Sequence, residues 1–199
     1  MFAAVIMAGG MGKRFAAGYK LVAPIQGKPL IRLAAENALS VFSRVILVTG
    51  YRADLVYEVV KDLPLTICHN SLWGEGQSTT VKCGLRALRN EVPEGVCLIP
   101  GDQGFVKPST MECLCRTSGQ HPADILVPFY NGQQGNPTMF PSCVLDSLYR
   151  MTTGDRGGRA LLKQRGFYQV DTDDPGVLQD IDTEEDYERY AKEGNKNEQ

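Results

Sequence analysis

The chain has 199 residues, 43% hydrophobic and 22% charged, with a formal net charge of −2. That length supplies one large core, and the near-neutral balance excludes a broad nucleic-acid surface while leaving room for a local anion site. No segment approaches membrane-spanning length, and the opening apolar run stops at Gly9 without a basic flank, too short for a signal peptide. Cys68, Cys83, Cys97, Cys113, Cys115 and Cys143 show no C-x-x-C spacing, the pattern of packed, reduced thiols in a cytoplasmic protein.

Phe2 to Ala8 forms an apolar run centred on Val5 and Ile6, as in a buried strand. Gly9, Gly10 and Gly12 follow it, then Lys13 and Arg14, with Lys20 beyond. Glycines after a strand let backbone N–H groups come close to an anion, and Arg14 and Lys20 can supply countercharge. A plain turn with two surface cations is the competing reading, although three glycines exceed what one turn needs. The stripe Leu30, Leu33, Ala34, Ala38, Leu39 and Phe42 predicts a helix over 30–42, entered through Pro29. Residues 45–49 read as a second apolar strand. Leu55, Val56, Val59, Val60 and Leu63 mark a helix ended by Pro64.

A third strand is expected at 65–68, followed by the polar loop 69–77. Ser78 stands where it would cap a helix carrying Val81, Leu85 and Leu88 inward. A fourth strand at 96–99 closes on Pro100-Gly101-Asp102, before a helix over 109–116 and a strand at 125–127. This alternation predicts an α/β fold, a Rossmann-like three-layer αβα sandwich with a mostly parallel central sheet. The rhythm changes near residue 129. Asn131-Gly132 is a turn signal between 126–130 and 138–140, so a small β excursion is expected in the C-terminal third. Helices at 144–151 and 159–164 flank the loop 152–158. Strands are expected at 167–170 and 177–181, and a last helix over 183–192.

Two familiar glycine loops can be excluded. A Walker-type loop requires Ser or Thr after Gly-Lys, but Arg14 follows Gly12-Lys13, and Met7 replaces the first glycine. A dinucleotide fingerprint requires a third glycine where Phe15 stands, and an acid where Thr49-Gly50 closes the second strand. Asp102 follows a buried strand, at the edge where open α/β sheets bind ligands, and a carboxylate there suits magnesium; a turn-forming Asp is the alternative. Gln77-Ser78, opening a helix after a glycine-bearing loop, can offer donors to a base or ribose, or can simply cap the helix. His69 and His121 are too few and too separated for a histidine metal site, and no G-x-S-x-G elbow is present.

The run Ala8-Gly9-Gly10-Met11-Gly12-Lys13-Arg14, with Lys20 and Gly27-Lys28-Pro29-Leu30, resembles the opening of the nucleotidyltransferases that make activated sugars and cofactors. It is most similar to the molybdenum-cofactor nucleotidylyltransferases. The resemblance continues through Val48-Thr49-Gly50-Tyr51, Gly76-Gln77-Ser78, Gly101-Asp102-Gln103, Gly135-Asn136-Pro137 and Asp180-Ile181-Asp182-Thr183. It implies one domain over 1–199, with a nucleotide-binding part at 1–128 and an acceptor-binding part at 129–193. Ala8, Gly9, Gly10, Gly12, Arg14, Lys20, Gln77, Ser78 and Asp102 would bind the nucleoside triphosphate, with Arg14, Lys20 and Asp102 catalytic. Asp102 and Asp182 would hold Mg2+, although Asp182 can equally cap the helix after it. Gly135, Asn136 and Arg156 would meet the acceptor.

The implied reaction transfers CMP from CTP to a molybdopterin-type acceptor with release of pyrophosphate, for a molybdenum hydroxylase apo-enzyme. Ala8-Gly9-Gly10 instead resembles the guanylyl-transferring members, so GTP stays open, as do a sugar- or polyol-phosphate acceptor and a non-catalytic delivery role. Gly104 stands where the family carries proline, which implies a looser loop after Asp102.

Overall fold

The opening apolar run forms strand β1 (Phe2–Ala8), whose side chains serve two cores in alternation. Ala4, Ile6 and Ala8 enter one, and Ala3 and Val5 the other, the period of two that a strand buried on both faces requires. The structure is a computed structural model describing residues 1–12, 18–181 and 183–194. A short antiparallel pair, β2 (Pro24–Ile25) and β3 (Lys28–Pro29), leads into α1 (Leu30–Leu39). The alternation then runs β4 (Arg44–Thr49), α2 (Ala53–Val60), β5 (Thr66–His69), α3 (Gln77–Ala87), β6 (Gly95–Pro100) and α4 (Pro108–Gln120). The C-terminal third contributes β7 (Leu126–Tyr130), β8 (Gln133–Gln134), β9 (Thr138–Pro141), α5 (Leu145–Met151), α6 (Arg159–Arg165), β10 (Tyr168–Asp171) and α7 (Glu184–Gly194).

The main sheet has the order β10-β7-β9-β6-β1-β4-β5, with β8 paired to β7. Pairs among β6, β1, β4 and β5 are parallel, as is β7–β10, whereas β9 runs antiparallel to both β6 and β7. Strand β6 follows β5 in the chain yet pairs on the opposite side of β1. The winding therefore reverses at β1, and a crevice opens beyond the carboxyl ends of β1 and β6. Side chains from α1, α2 and α4 cover one face of the sheet, and those from α3, α5 and α6 the other. A Cβ built on Gly84 of α3 would lie 2.3 Å from Val5 Cγ1, so this helix rests directly on the central strand.

Three expectations need correction. Residues 177–181 do not form a strand: Pro175–Leu178 is a 3-10 turn, with Asp174 accepting a hydrogen bond from Gly176 N at 2.9 Å. Ser78 does not cap α3; Gly76 is the N-cap, and Ser78 lies buried in the first turn. The loop after Asp102 is not loose. Gly104 packs against Leu30, and Asn37 Nδ2 donates to the carbonyls of Gly104 and Val106 at 3.0 and 3.1 Å. No described helix is long and apolar enough to cross a membrane.

Candidate functional site

Two cavities open at the carboxyl edge of the sheet. The first, about 690 Å³, is lined by Gly9, Gly10 and Gly12 after β1, by Lys20, by Trp73 and Gly76 before α3, and by Thr80. The second, about 600 Å³, is lined by Gln103, Gln134, Gly135, Asn136, Arg159 and Asp180. Met7, Gln77, Pro100 and Asp102 belong to the walls of both. Each cavity is large enough for a small-molecule ligand.

Several contacts shape the first cavity. A Cβ on Gly9 would sit 2.5 Å from Thr80 Oγ1, so the absence of a side chain at Gly9 lets the loop after β1 pass closely against α3. Tyr19 OH donates to Gly10 O at 3.1 Å, and burial holds this phenol well above its ordinary pKa. The Tyr19 ring meets Tyr51 edge-on at 5.5 Å, and Tyr51 meets Trp73 at 5.4 Å. This aromatic chain ties the loops after β1, β4 and β5 into one wall. At the N-terminus of α3, Gln77 N donates to Asp155 Oδ1 at 3.3 Å, so the C-terminal third reaches across to the start of that helix.

At the shared wall, Lys20 Nζ donates to Asp102 Oδ2 at 2.5 Å, with the side chains 10% and 22% exposed. An ammonium and a carboxylate at this distance form an ion pair in the cavity wall, partly shielded from bulk solvent. Among the described residues, no group of three or more His, Cys, Asp or Glu is placed to cage a metal ion. The arrangement can bring two ligands together at a point where a cation and a carboxylate are already fixed.

Of the residues expected at the site, Gly9, Gly10, Gly12, Lys20, Gln77 and Asp102 line the first cavity, and Gly135 and Asn136 the second. Ala8 and Ser78 are buried and line neither. Arg14 and Asp182 lie outside the described residues, as does the side chain of Arg156, whose backbone ends a 3-10 turn. Trp73, Thr80, Asp155, Gln103 and Arg159 were not singled out as site residues. Trp73 carried a usable signal, a lone tryptophan in a glycine-bearing loop, and Gln103 stands beside Asp102 in the run Gly101-Asp102-Gln103; Thr80, Asp155 and Arg159 reach the cavities through long-range packing.

Comparison with known proteins agrees with this architecture. Residues 4–170 match the MobA-like NTP transferase domain. The chain is 26% identical over 194 residues to the molybdenum cofactor cytidylyltransferase of Escherichia coli (strain K12), covering 94% of this chain and 96% of that one. It is also 26% identical over 191 residues to the nicotine blue oxidoreductase of Paenarthrobacter nicotinovorans, covering 91% and 92%. Among solved structures, Rv0371c from Mycobacterium tuberculosis H37Rv superposes with a TM-score of 0.79 at 25% identity, covering 96% and 97%. The chain belongs to the MobA-like NTP transferase family and is a nucleotidyltransferase.

Proposed function

We propose that the protein transfers CMP from CTP to a molybdopterin-type acceptor, with the first cavity holding the triphosphate and the second the acceptor. The observation that carries this reading is the shared wall: two adjoining cavities meet at Asp102 and Gln77, with Lys20 beside Asp102. Direct transfer between two bound substrates needs that juxtaposition and no protein nucleophile. The acceptor's phosphate oxygen attacks the α-phosphorus of the nucleotide, and pyrophosphate leaves from the opposite side. Backbone N–H groups of Gly9–Gly12, together with Arg14, hold the β- and γ-phosphates. Lys20 turns from Asp102 toward the α-phosphate and offsets the charge that develops there.

Asp102 and Asp182 are the residues that would hold magnesium. The donor set fits, because magnesium keeps several waters and takes one or two carboxylates plus phosphate oxygens rather than an all-protein cage. When bound, the ion would neutralise phosphate charge. The preference for CTP rests on the resemblance of the Gly101-Asp102-Gln103, Gly135-Asn136-Pro137 and Asp180-Ile181-Asp182-Thr183 segments to cytidylyl-transferring members. Gly9 also has a packing reason beside its motif, since a methyl group there would crowd the Thr80 hydroxyl. The acceptor is read from the E. coli relative, a molybdenum hydroxylase apo-enzyme would receive the product, and the reaction would take place in the cytoplasm.

The test is incubation of the protein with CTP, GTP, ATP or UTP in turn, plus magnesium and molybdopterin, following pyrophosphate. Release with CTP in clear excess over the others is expected. No release with any triphosphate would overturn the transfer reading, and a preference for GTP would overturn the choice of nucleotide.

A further inference from the structure

A buried carboxylate outside both cavities ties the wall of the second one to the rest of the fold. Asp174 is 1% exposed and lines neither cavity. Its Oδ2 accepts from Lys107 N at 2.8 Å and from Thr110 Oγ1 at 2.7 Å, and its Oδ1 from Gly176 N at 2.9 Å. Among the described residues no Lys, Arg or His forms an ion pair with it. Lys107 is the N-cap of α4 and makes no side-chain cap itself. Asp174 therefore supplies the negative charge that this helix start favours, from far along the chain. Taking a carboxylate out of water is costly unless donors surround it, and bonds to a charged acceptor are the strong ones.

The tie reaches the cavity through the turn that follows it. A Cβ on Gly176 would lie 2.3 Å from Phe105 O, so the turn rests on the loop that continues from Asp102. On its other side, Val177 O accepts from Asn136 N at 2.9 Å. Residues 135–137 lie between β8 and β9 and belong to no strand. Their backbone N–H groups are anchored only at Pro128 O, by Gly135 at 2.8 Å, and at Val177 O. Asn136 lines the second cavity, as does Asp180 shortly after the turn. Resting on the reading that this cavity receives the acceptor, we propose that Asp174 is a positioning residue. By clamping the turn 175–178 to α4, it holds Asn136 and Asp180 in register with Asp102, so that a bound acceptor faces the nucleotide. A supporting contact of this kind fixes geometry without touching either ligand.

The test compares wild type with Asp174→Asn. The asparagine oxygen can still accept from Gly176 N, but its NH2 then faces Lys107 N, donor against donor. The local turn is kept and the link to α4 is broken. Amide hydrogen exchange is followed residue by residue without ligand, and molybdopterin and CTP are each titrated calorimetrically with magnesium. Exchange at Asn136 is expected to speed up about tenfold while β1 and β4 stay unchanged. Molybdopterin binding should weaken about tenfold, with CTP binding within about twofold. Thr110→Val removes one donor and keeps the carboxylate. It should show the same selective pattern at smaller amplitude, and it is the variant read if Asp174→Asn does not fold. Unchanged exchange at Asn136 would overturn the clamp. Faster exchange with unchanged molybdopterin affinity, or with an equal loss for CTP, would leave Asp174 a stability residue and overturn its positioning role. Because exchange needs no ligand, a wild-type protein that binds no molybdopterin yet keeps the exchange response would overturn the acceptor reading and leave the clamp standing.

Discussion

Lys20 and Asp102 are where the proposed chemistry concentrates, and the pair has a specific experimental signature. Lys20→Ala removes the cation expected to stabilise charge on the α-phosphate but leaves the glycine loop that grips the rest of the triphosphate. Losing one such donor lowers kcat by about 10²–10³-fold, so single-turnover rates should fall by that order while CTP affinity changes by less than about fivefold. If the two fell together, Lys20 would be a binding residue only. The placement of Lys20, Asp102 and the glycines at the first cavity was legible in the chain, because the glycines and Asp102 stand directly after apolar strands and Lys20 shortly after the glycines. Thr80 was not, since its importance arises from a 2.5 Å approach to the site of a missing methyl group on Gly9.

Elements were legible where their signals were periodic and long. The stripe beginning at Leu30 and the two continuous apolar strands β1 and β4 formed as their patterns required. The failure at 177–181 shows which signal wins in a short segment. Val177, Leu178 and Ile181 are apolar enough for a strand, but Asp174-Pro175-Gly176 immediately before them builds a capped 3-10 turn. Ile181 is then buried with Ile25 and Leu30 in a separate cluster beside β2 and α1. At this scale α3 lies tightly against β1. Gly84→Ala ordinarily favours a helix by about 1 kcal/mol, but here the new Cβ meets Val5 at 2.3 Å. Overpacking of about 1–3 kcal/mol should win, lowering the melting temperature by several degrees, and Val5→Ala in the same chain should restore part of the loss. A melting temperature at or above wild type would show that α3 can move away without cost.

The whole molecule carries an acid-sensitive tie that no single element reveals. Arg32 of α1 donates to both carboxylate oxygens of Asp62, just beyond α2, at 2.7 and 2.8 Å, and to the Val59 carbonyl at 3.0 Å. The guanidinium lowers the Asp62 pKa from 3.8 to about 2. A depressed folded-state value means the tie contributes fully above the unfolded pKa and is lost as pH falls through the folded one, here between about pH 4 and 2. Melts of wild type and Asp62→Asn should differ modestly at pH 6, since the carboxylate is 60% exposed, and converge near pH 2. A constant difference across that range would assign the effect to packing. The same global view also bears on how the molecule comes together during synthesis. Strand β9 lies between β6 and β7, so β7 joins the sheet only through a strand that follows it in the chain. A nascent chain that has emerged through β6 can pair β6, β1, β4 and β5, but β6 remains an open edge until residues 138–141 arrive. The wall around Gly135 and Asn136 is therefore assembled only after the parallel strands, and a chain stalled before it would expose an apolar strand edge prone to pairing with other chains.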